Sequence, residues 1–408
     1  RFQIAAVLNR WRAFEMFSHR LPASFEKNPL TLALEKRKAA GLPVIDLTLS
    51  NPTTARFDYP VDSLKEIFSR AVDGVYEPDA RGLLKAREAI CAHHARRGVA
   101  VNPQNIHLTA GTSEAYAHLF KILCDAGDAV LLPEPSYPLF ESLAALESVH
   151  AERFQFVYTT EGTTEGWRLD RASFEKAAKT KNARAALFVH PNNPTGALLR
   201  ADDWAFIKAI CAEHKIAIIV DEVFLDYAEQ SADTLGTTAG EKGAGTLVFT
   251  LNGLSKTAAL PQLKLSWIVT SGPGELVAQA LERLDVVNDA FLSCASPVQN
   301  ALGDLLKIGE NLRAQISARL KENSALLETL TLPQNTHVLK RDGGWYAVLR
   351  LPDHILEEPF CLKLLKQHGV LAHPGFFYDF PAAQAHLVLS LLPKSAQFAT
   401  AIRTILPP

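Results

Sequence analysis

The sequence predicts an α/β fold: a doubly wound, mostly parallel sheet of the seven-stranded type in a large domain, with a smaller α+β domain beside it. Three observations carry this. Between residues 106 and 220, short apolar runs alternate with helix-length amphipathic stretches, the pattern of βαβ units. The runs, such as residues 185–189 and 216–220, are apolar almost without a break, as strands are when both faces of their sheet are covered. Beyond residue 270 that rhythm stops, and long helical patterns enclose a few short strands. A chain of 408 residues is long enough for two domains. The expected division is an N-terminal arm over 1–60 that completes the small domain, a large domain over 61–290 and a small domain over 291–408.

In chain order, residues 1–30 read as an irregular arm with a helix around 5–17. A helix over 30–40 follows, closed by Gly41. A short strand at 44–49 runs into the turn-rich Ser50-Asn51-Pro52-Thr53. Helices at 64–72 and 83–97 flank a loop at 76–82. The alternating region gives strands at 106–109, 129–132, 153–158, 185–190 and 216–220, with helices at 114–123, 139–146, 171–179 and 201–214. Strands at 246–250 and 267–270 complete the large sheet. Helices at 275–287 and 296–330 come next, the second expected to kink or break once. Strands at 344–349 and 386–391 then accompany helices at 359–368 and 395–405.

Composition narrows the function classes. With 48% hydrophobic and 21% charged residues the chain has an ordinary globular mix. A formal net charge of -2 gives no electrostatic footprint for nucleic acid or an anionic membrane. No run approaches the roughly 18 apolar residues of a membrane span. The basic, amphipathic start lacks a signal-peptide cleavage pattern, so the cytoplasm is the expected compartment. The five cysteines are odd in number and lack Cys-x-x-Cys spacing, so they read as reduced thiols. No Gly-x-Gly-x-x-Gly follows an early strand, which argues against a dinucleotide site. His93-His94 has no further ligand nearby, and no metal site is expected.

Ligands of doubly wound sheets bind outside the carboxyl ends of the strands, so the segments that follow each strand define a candidate site. Lys256, in Asn252-Gly253-Leu254-Ser255-Lys256, ends a strand among Leu, Ala and Ser. Poor solvation there disfavours the ammonium form and leaves an amine able to attack a carbonyl. Gly111-Thr112-Ser113 opens a helix whose free N–H groups suit a phosphate dianion. Asp221 ends a buried strand, where a carboxylate needs a cationic partner. Tyr137 lies in a Pro-Ser-Tyr-Pro loop, and Asn193 in a turn fixed by Pro194 and Gly196.

These segments, in this order, resemble the fold-type I, pyridoxal-phosphate-dependent aminotransferases of the class I/II group, over about residues 46–391. The resemblance implies pyridoxal 5′-phosphate as cofactor, with an amino donor and a 2-oxo acid acceptor as substrates. It implies Lys256 as the Schiff-base lysine that later moves the proton between substrate and cofactor. Phosphate contacts are implied for Gly111, Thr112, Ser113, Ser255 and Lys264, and ring stacking for Tyr137. Asn193 is implied as a donor to the ring O3′, and Asp221 as the partner of the protonated ring nitrogen. Tyr76 resembles the tyrosine that reaches a second subunit's phosphate, which implies a homodimer with shared sites. The same scaffold carries lyases and decarboxylases, and a non-catalytic, cofactor-binding regulator is a further class. Lys256 and Asp221 together favour catalysis.

Four positions depart from the family pattern. Phe224 stands where a tyrosine usually bonds O3′, and Lys264 replaces an arginine fork with a point charge. Ser50 stands where a glycine amide often helps seat the substrate carboxylate, with Asn51 beside it as a second candidate contact. Val388 holds the place of the arginine that clamps the α-carboxylate. Lys394, Arg341 and Arg56 are candidate substitutes; the alternative is a substrate without an α-carboxylate.

Overall fold

The structure, a computed structural model, describes residues 17–22, 24–160, 165–229, 233–243 and 245–406. Apart from Phe17, the helix expected around 5–17 lies outside them. In chain order the strands are β1 (Ile45–Asp46), β2 (Ile106–Thr109), β3 (Ala129–Glu134), β4 (His150–Thr159) and β5 (Gly166–Leu169). Then come β6 (Ala183–Val189), β7 (Ala217–Asp221), β8 (Val248–Gly253) and β9 (Ser266–Ser271). The last are β10 (His337–Leu339), β11 (Tyr346–Arg350), β12 (Val370–Leu371), β13 (His373–Pro374) and β14 (His386–Ser390).

Eight of these form the large sheet, in the order β2-β9-β8-β7-β6-β3-β4-β5. β4, β3, β6, β7 and β8 run parallel to their neighbours in that series. β9 is antiparallel to both β2 and β8, and β5 is antiparallel to β4. The sheet is therefore mostly parallel, as predicted, but mixed and one strand wider than the seven-stranded type. The extra strand, β5, is four residues long, too short to show an alternation in sequence. β6, β7 and β8 are buried along their whole lengths apart from Arg184, which explains their unbroken apolar runs.

Local chemistry sets the helix ends. Asn28 caps Pro29–Ala39 by accepting from the Thr31 N–H at 2.8 Å, and Gly41 leaves that helix at φ +68°. Asp170 caps Arg171–Ala178 through the N–H groups of Ala172 and Ser173. The long helix corrects an expectation: Ser296–Glu328 runs unbroken for 33 residues. Gly309, inside it, makes room instead of a kink. A Cβ there would stand 2.6 Å from Ala258 Cα, so the glycine lets this helix press against the Lys256 turn.

The smaller sheet is antiparallel, in the order β10-β11-β14-β13. The strand expected at 44–49 shrinks to β1, which pairs with β12. Beyond β1, Leu47 gives its N–H to Leu371 and its carbonyl accepts from the Ser390 N–H, at 2.8 and 2.6 Å. That pairing leads residues 48–50 across the small sheet and out over the carboxyl end of the large one.

Candidate active site

Strand register gathers the predicted residues. Thr109, Ser266 and Gly253 lie in one row across β2, β9 and β8. Gly111 and Lys256 therefore leave the same edge of the sheet, two strand spacings apart, about 10 Å. Asp221 ends β7 beside Leu251 of β8, and Val189 of β6 pairs with Asp221. Asn193 follows β6, and Tyr137 follows β3, the next strand along. Five carboxyl-end segments, from β2, β8, β7, β6 and β3, thus come out on one side of the sheet.

Lys256 sits on the short helix Leu254–Thr257. Its Nζ donates to the Ser50 carbonyl at 3.2 Å and lies over two rings, 4.5 Å from the centre of Trp345 and 5.6 Å from that of Phe224. Burial pulls its pKa down to about 8, against the upward pull of Asp221. The turn is clamped from behind. Tyr227 Oη donates to the Lys256 carbonyl at 2.8 Å, and Tyr59 Oη to the Ala259 carbonyl at 2.6 Å. Arg313, on the long helix, donates to the Thr257 carbonyl.

Asp221 is buried. Its Oδ2 accepts from Tyr116 Oη at 3.0 Å and its Oδ1 from the Val223 N–H at 3.0 Å. Burial pushes its pKa up to about 6, against those two hydrogen bonds and Lys256. The carboxylate is held in place but short of positive charge.

At the other end of the cleft, Gly111 starts the helix Thr112–Leu123 with extended backbone and no side-chain cap. Lys264 reaches over it: a Cβ on Gly111 would stand 3.3 Å from Lys264 Nζ. A cation at the positive end of a helix is an unfavourable pairing, relieved by an anion between the two. Ser255 is partly accessible on the Lys256 turn, and Thr112 and Ser113 line the helix start.

The remaining predicted residues divide. Asn193 is buried, with its Oδ1 lacking a hydrogen-bond partner. Tyr137 is 41% exposed and packs edge-on against Phe140. Phe224 is buried against Trp345, their rings 5.4 Å apart at 71°. Ser50 meets Lys256 through its carbonyl, whereas Asn51 turns its Oδ1 to the N–H and hydroxyl of Thr53, at 3.0 and 2.8 Å. Val388 is buried in the small sheet. Tyr76, 70% exposed, lines a groove with Gly82 and Cys294 and is not brought to Lys256 within this chain. Arg341 is spent on Ser324 and the Gly344 carbonyl; Lys394 and Arg56 are exposed.

Sequence reasoning missed Tyr116, Trp345, Tyr227 and Tyr59. Only Trp345 had a signal, the Gly343-Gly344 before it. A Cβ on Gly343 would meet the Tyr227 carbonyl at 2.8 Å, and Gly344 takes φ +79°, so the pair threads Trp345 in beneath the lysine. His93 and His94 are core residues whose pKa values burial lowers to about 4 and about 3. Among the described residues no group of three or more His, Cys, Asp or Glu could hold a metal, and no helix is long and apolar enough to cross a membrane.

Residues 43–402 match the family model described as "Aminotransferase class I and II". The chain belongs to that family. An alanine aminotransferase of Mycobacterium tuberculosis is 26% identical, over 97% of this chain and 92% of its own length. A glutamate-pyruvate aminotransferase of Escherichia coli is 27% identical, over 90% of this chain and 91% of its own. Among solved structures, an alanine aminotransferase from Pyrococcus furiosus superposes with a TM-score of 0.79 at 22% identity, covering 95% of this chain and 98% of that one. The predicted aminotransferase fold and enzyme class stand with these matches. The mixed large sheet and the smaller antiparallel sheet are the architecture of this aminotransferase.

Proposed function

We propose that this aminotransferase uses pyridoxal 5′-phosphate to move an amino group from an amino acid to a 2-oxo acid, with Lys256 as its catalytic amine. The names of the relatives, which act on alanine, glutamate and pyruvate, support that substrate class. The observation that carries the reading is Lys256 itself: a partly desolvated amine at the centre of five strand ends, with a buried carboxylate on the neighbouring strand.

The donor set fits the cofactor. Gly111, Thr112, Ser113, Ser255 and Lys264 would hold its phosphate, where the helix end and the Lys264 ammonium leave a place for an anion. Asn193, buried at the end of β6, would donate from Nδ2 to the ring oxygen, which leaves its Oδ1 to accept from a neighbouring donor. Asp221, short of positive charge, would pair with the ring nitrogen, and Tyr137 would stack on the ring. When bound, the group supplies an aldehyde that condenses with amines and a cationic ring that accepts an electron pair. Lys256 Nζ would take up the substrate Cα proton and return it as the general base and acid. Phe224 and Trp345 exclude water from beneath that amine.

The same reading makes the protein a homodimer, with the exposed Tyr76 reaching the partner's phosphate site. It keeps the division into an arm over 1–60, a large domain over 61–290 and a small domain over 291–408. It also places the enzyme in the cytoplasm, in keeping with five free cysteines. The test is an absorbance titration of the cofactor-loaded protein with L-alanine and L-glutamate. The cofactor band is expected to disappear and to return on adding pyruvate, and Lys256→Ala to lower turnover by about 10³-fold or more. A wild-type protein that binds cofactor and amino acid yet never passes the amino group to a 2-oxo acid would overturn the reading.

A further inference from the structure

We propose that the substrate carboxylate is held by His373, oriented by Tyr378, on the face of the small sheet that looks toward Lys256. The inference rests on the amino-acid substrate proposed above and names the group that recognises it.

Directly opposed residues of an antiparallel ladder project from the same face, and faces alternate along a strand. Tyr346, Val348 and Arg350 of β11 therefore share a face with Ser390, Val388 and His386 of β14. His373 of β13 joins them opposite Val388. At one end of this face Tyr346 lies beside Ser50, the residue whose carbonyl accepts from Lys256 Nζ. The face thus closes the cleft on the side of the amine. Of its groups nearest that end, Val388 and Val348 are apolar and buried, and the Ser390 hydroxyl is spent on the Leu49 carbonyl at 2.5 Å. His373 remains, and it is partly accessible.

His373 Nδ1 lies 3.1 Å from Tyr378 Oη, the one hydrogen bond of either side chain among the described residues. The phenol proton has no other acceptor, so it points at Nδ1, and the neutral imidazole carries its own hydrogen on Nε2. That leaves Nε2–H as a donor with a fixed tautomer; the carboxylate nearest the ring is Asp46, whose Oδ1 is taken up by the N–H and hydroxyl of Thr48. A substrate carboxylate meeting Nε2–H makes a charge-assisted hydrogen bond. The Tyr378 turn is fastened across the cleft as well, since its carbonyl accepts from the Ser136 N–H at 2.9 Å, next to Tyr137. Among the cations, Arg341 is already engaged and Arg350 lies one row farther from Lys256, beside His386. An imidazole in place of a guanidinium fork makes the site a single-point binder of the α-carboxylate.

The experiment compares cofactor-loaded wild type with His373→Leu, His373→Gln and Arg350→Gln. KM and kcat are measured for L-alanine and for ethylamine, the same skeleton without the carboxylate, and the Kd of propanoate is read by calorimetry. His373→Leu is expected to raise both the L-alanine KM and the propanoate Kd by about tenfold, with kcat changed less than about threefold and the ethylamine KM unmoved. His373→Gln, which brings an amide N–H near the place of Nε2, restores most of the loss. Equal losses with ethylamine would overturn the proposal. So would a loss of propanoate binding in Arg350→Gln with none in His373→Leu. The calorimetry needs no turnover, so it separates failure of this proposal from failure of the transamination reading.

Discussion

Lys256 Nζ stands 4.5 Å from the centre of the Trp345 indole, so the amine that burial would deprotonate is also offered an aromatic face. The two effects oppose each other. Burial lowers the pKa to about 8, and a ring quadrupole favours the ammonium by about 0.5–2 kcal/mol. In cofactor-free protein, Trp345→Leu is expected to lower the Lys256 pKa by up to about one unit, while Trp345→Phe keeps most of it. The pH dependence of Lys256 modification by an amine reagent measures this. An inflection that stays in place in the Leu variant would reduce Trp345 to a packing residue.

Asp221 carries a stability cost with a definite sign. Its folded pKa, about 6, lies above the ordinary carboxylate value, so the folded state binds the proton more tightly than the unfolded chain does. Stability is therefore lost as pH rises from about 4 through about 6, by up to about 3 kcal/mol. Cofactor-free Asp221→Asn should melt higher than wild type at pH 8, and the gap should close near pH 4. Calorimetric scans at the two pH values check it. The loaded enzyme should show the reverse order at pH 8, because its carboxylate gains a cation.

In the proposed reading Lys264 acts on the phosphate end alone. Lys264→Ala is expected to weaken pyridoxal 5′-phosphate binding by about tenfold or more and to leave binding of unphosphorylated pyridoxal nearly unchanged. Spectral titration of the two compounds separates these outcomes. Equal weakening of both would move Lys264 away from the phosphate.

Gly309 has its consequence at a distance. A side chain there meets Ala258 Cα at 2.6 Å, with backbone on both sides of the contact. Gly309→Val should destabilise the fold by about 1–3 kcal/mol and push the Lys256 turn forward. Thermal unfolding reads the first effect; a fall in kcat larger than the loss of folded protein reads the second.

The strand ends that build the cleft were legible in the sequence because each is marked by its neighbours. Gly111 sits at a helix start, Asn193 in a Pro-Gly turn and Asp221 after an apolar run. Lys256 was legible for the same reason. What surrounds the lysine was not. Tyr59, Tyr227, Trp345 and Arg313 reach it from distant parts of the chain, and nothing local distinguishes a tyrosine that caps a carbonyl from one that packs. Asn51 shows the opposite failure: its place beside Ser50 suggested substrate, and its side chain is used up in a local turn. The helix Ser296–Glu328 ran on where a break was expected, and Gly309 inside it serves a close approach to Ala258.

Three side chains clamp the backbone carbonyls of the Lys256 turn, and two of them come from far away in sequence: Tyr59 is 200 residues from its acceptor and Arg313 is 56. On a nascent chain that has not yet supplied residue 313 the turn lacks one of its three clamps. The amine of a partly made or partly unfolded chain is an ordinary solvated lysine. The larger share of free amine that comes with the lowered pKa thus arises only once the chain has folded around the turn, and the titration of a single amine reports on contacts brought together from three parts of the sequence.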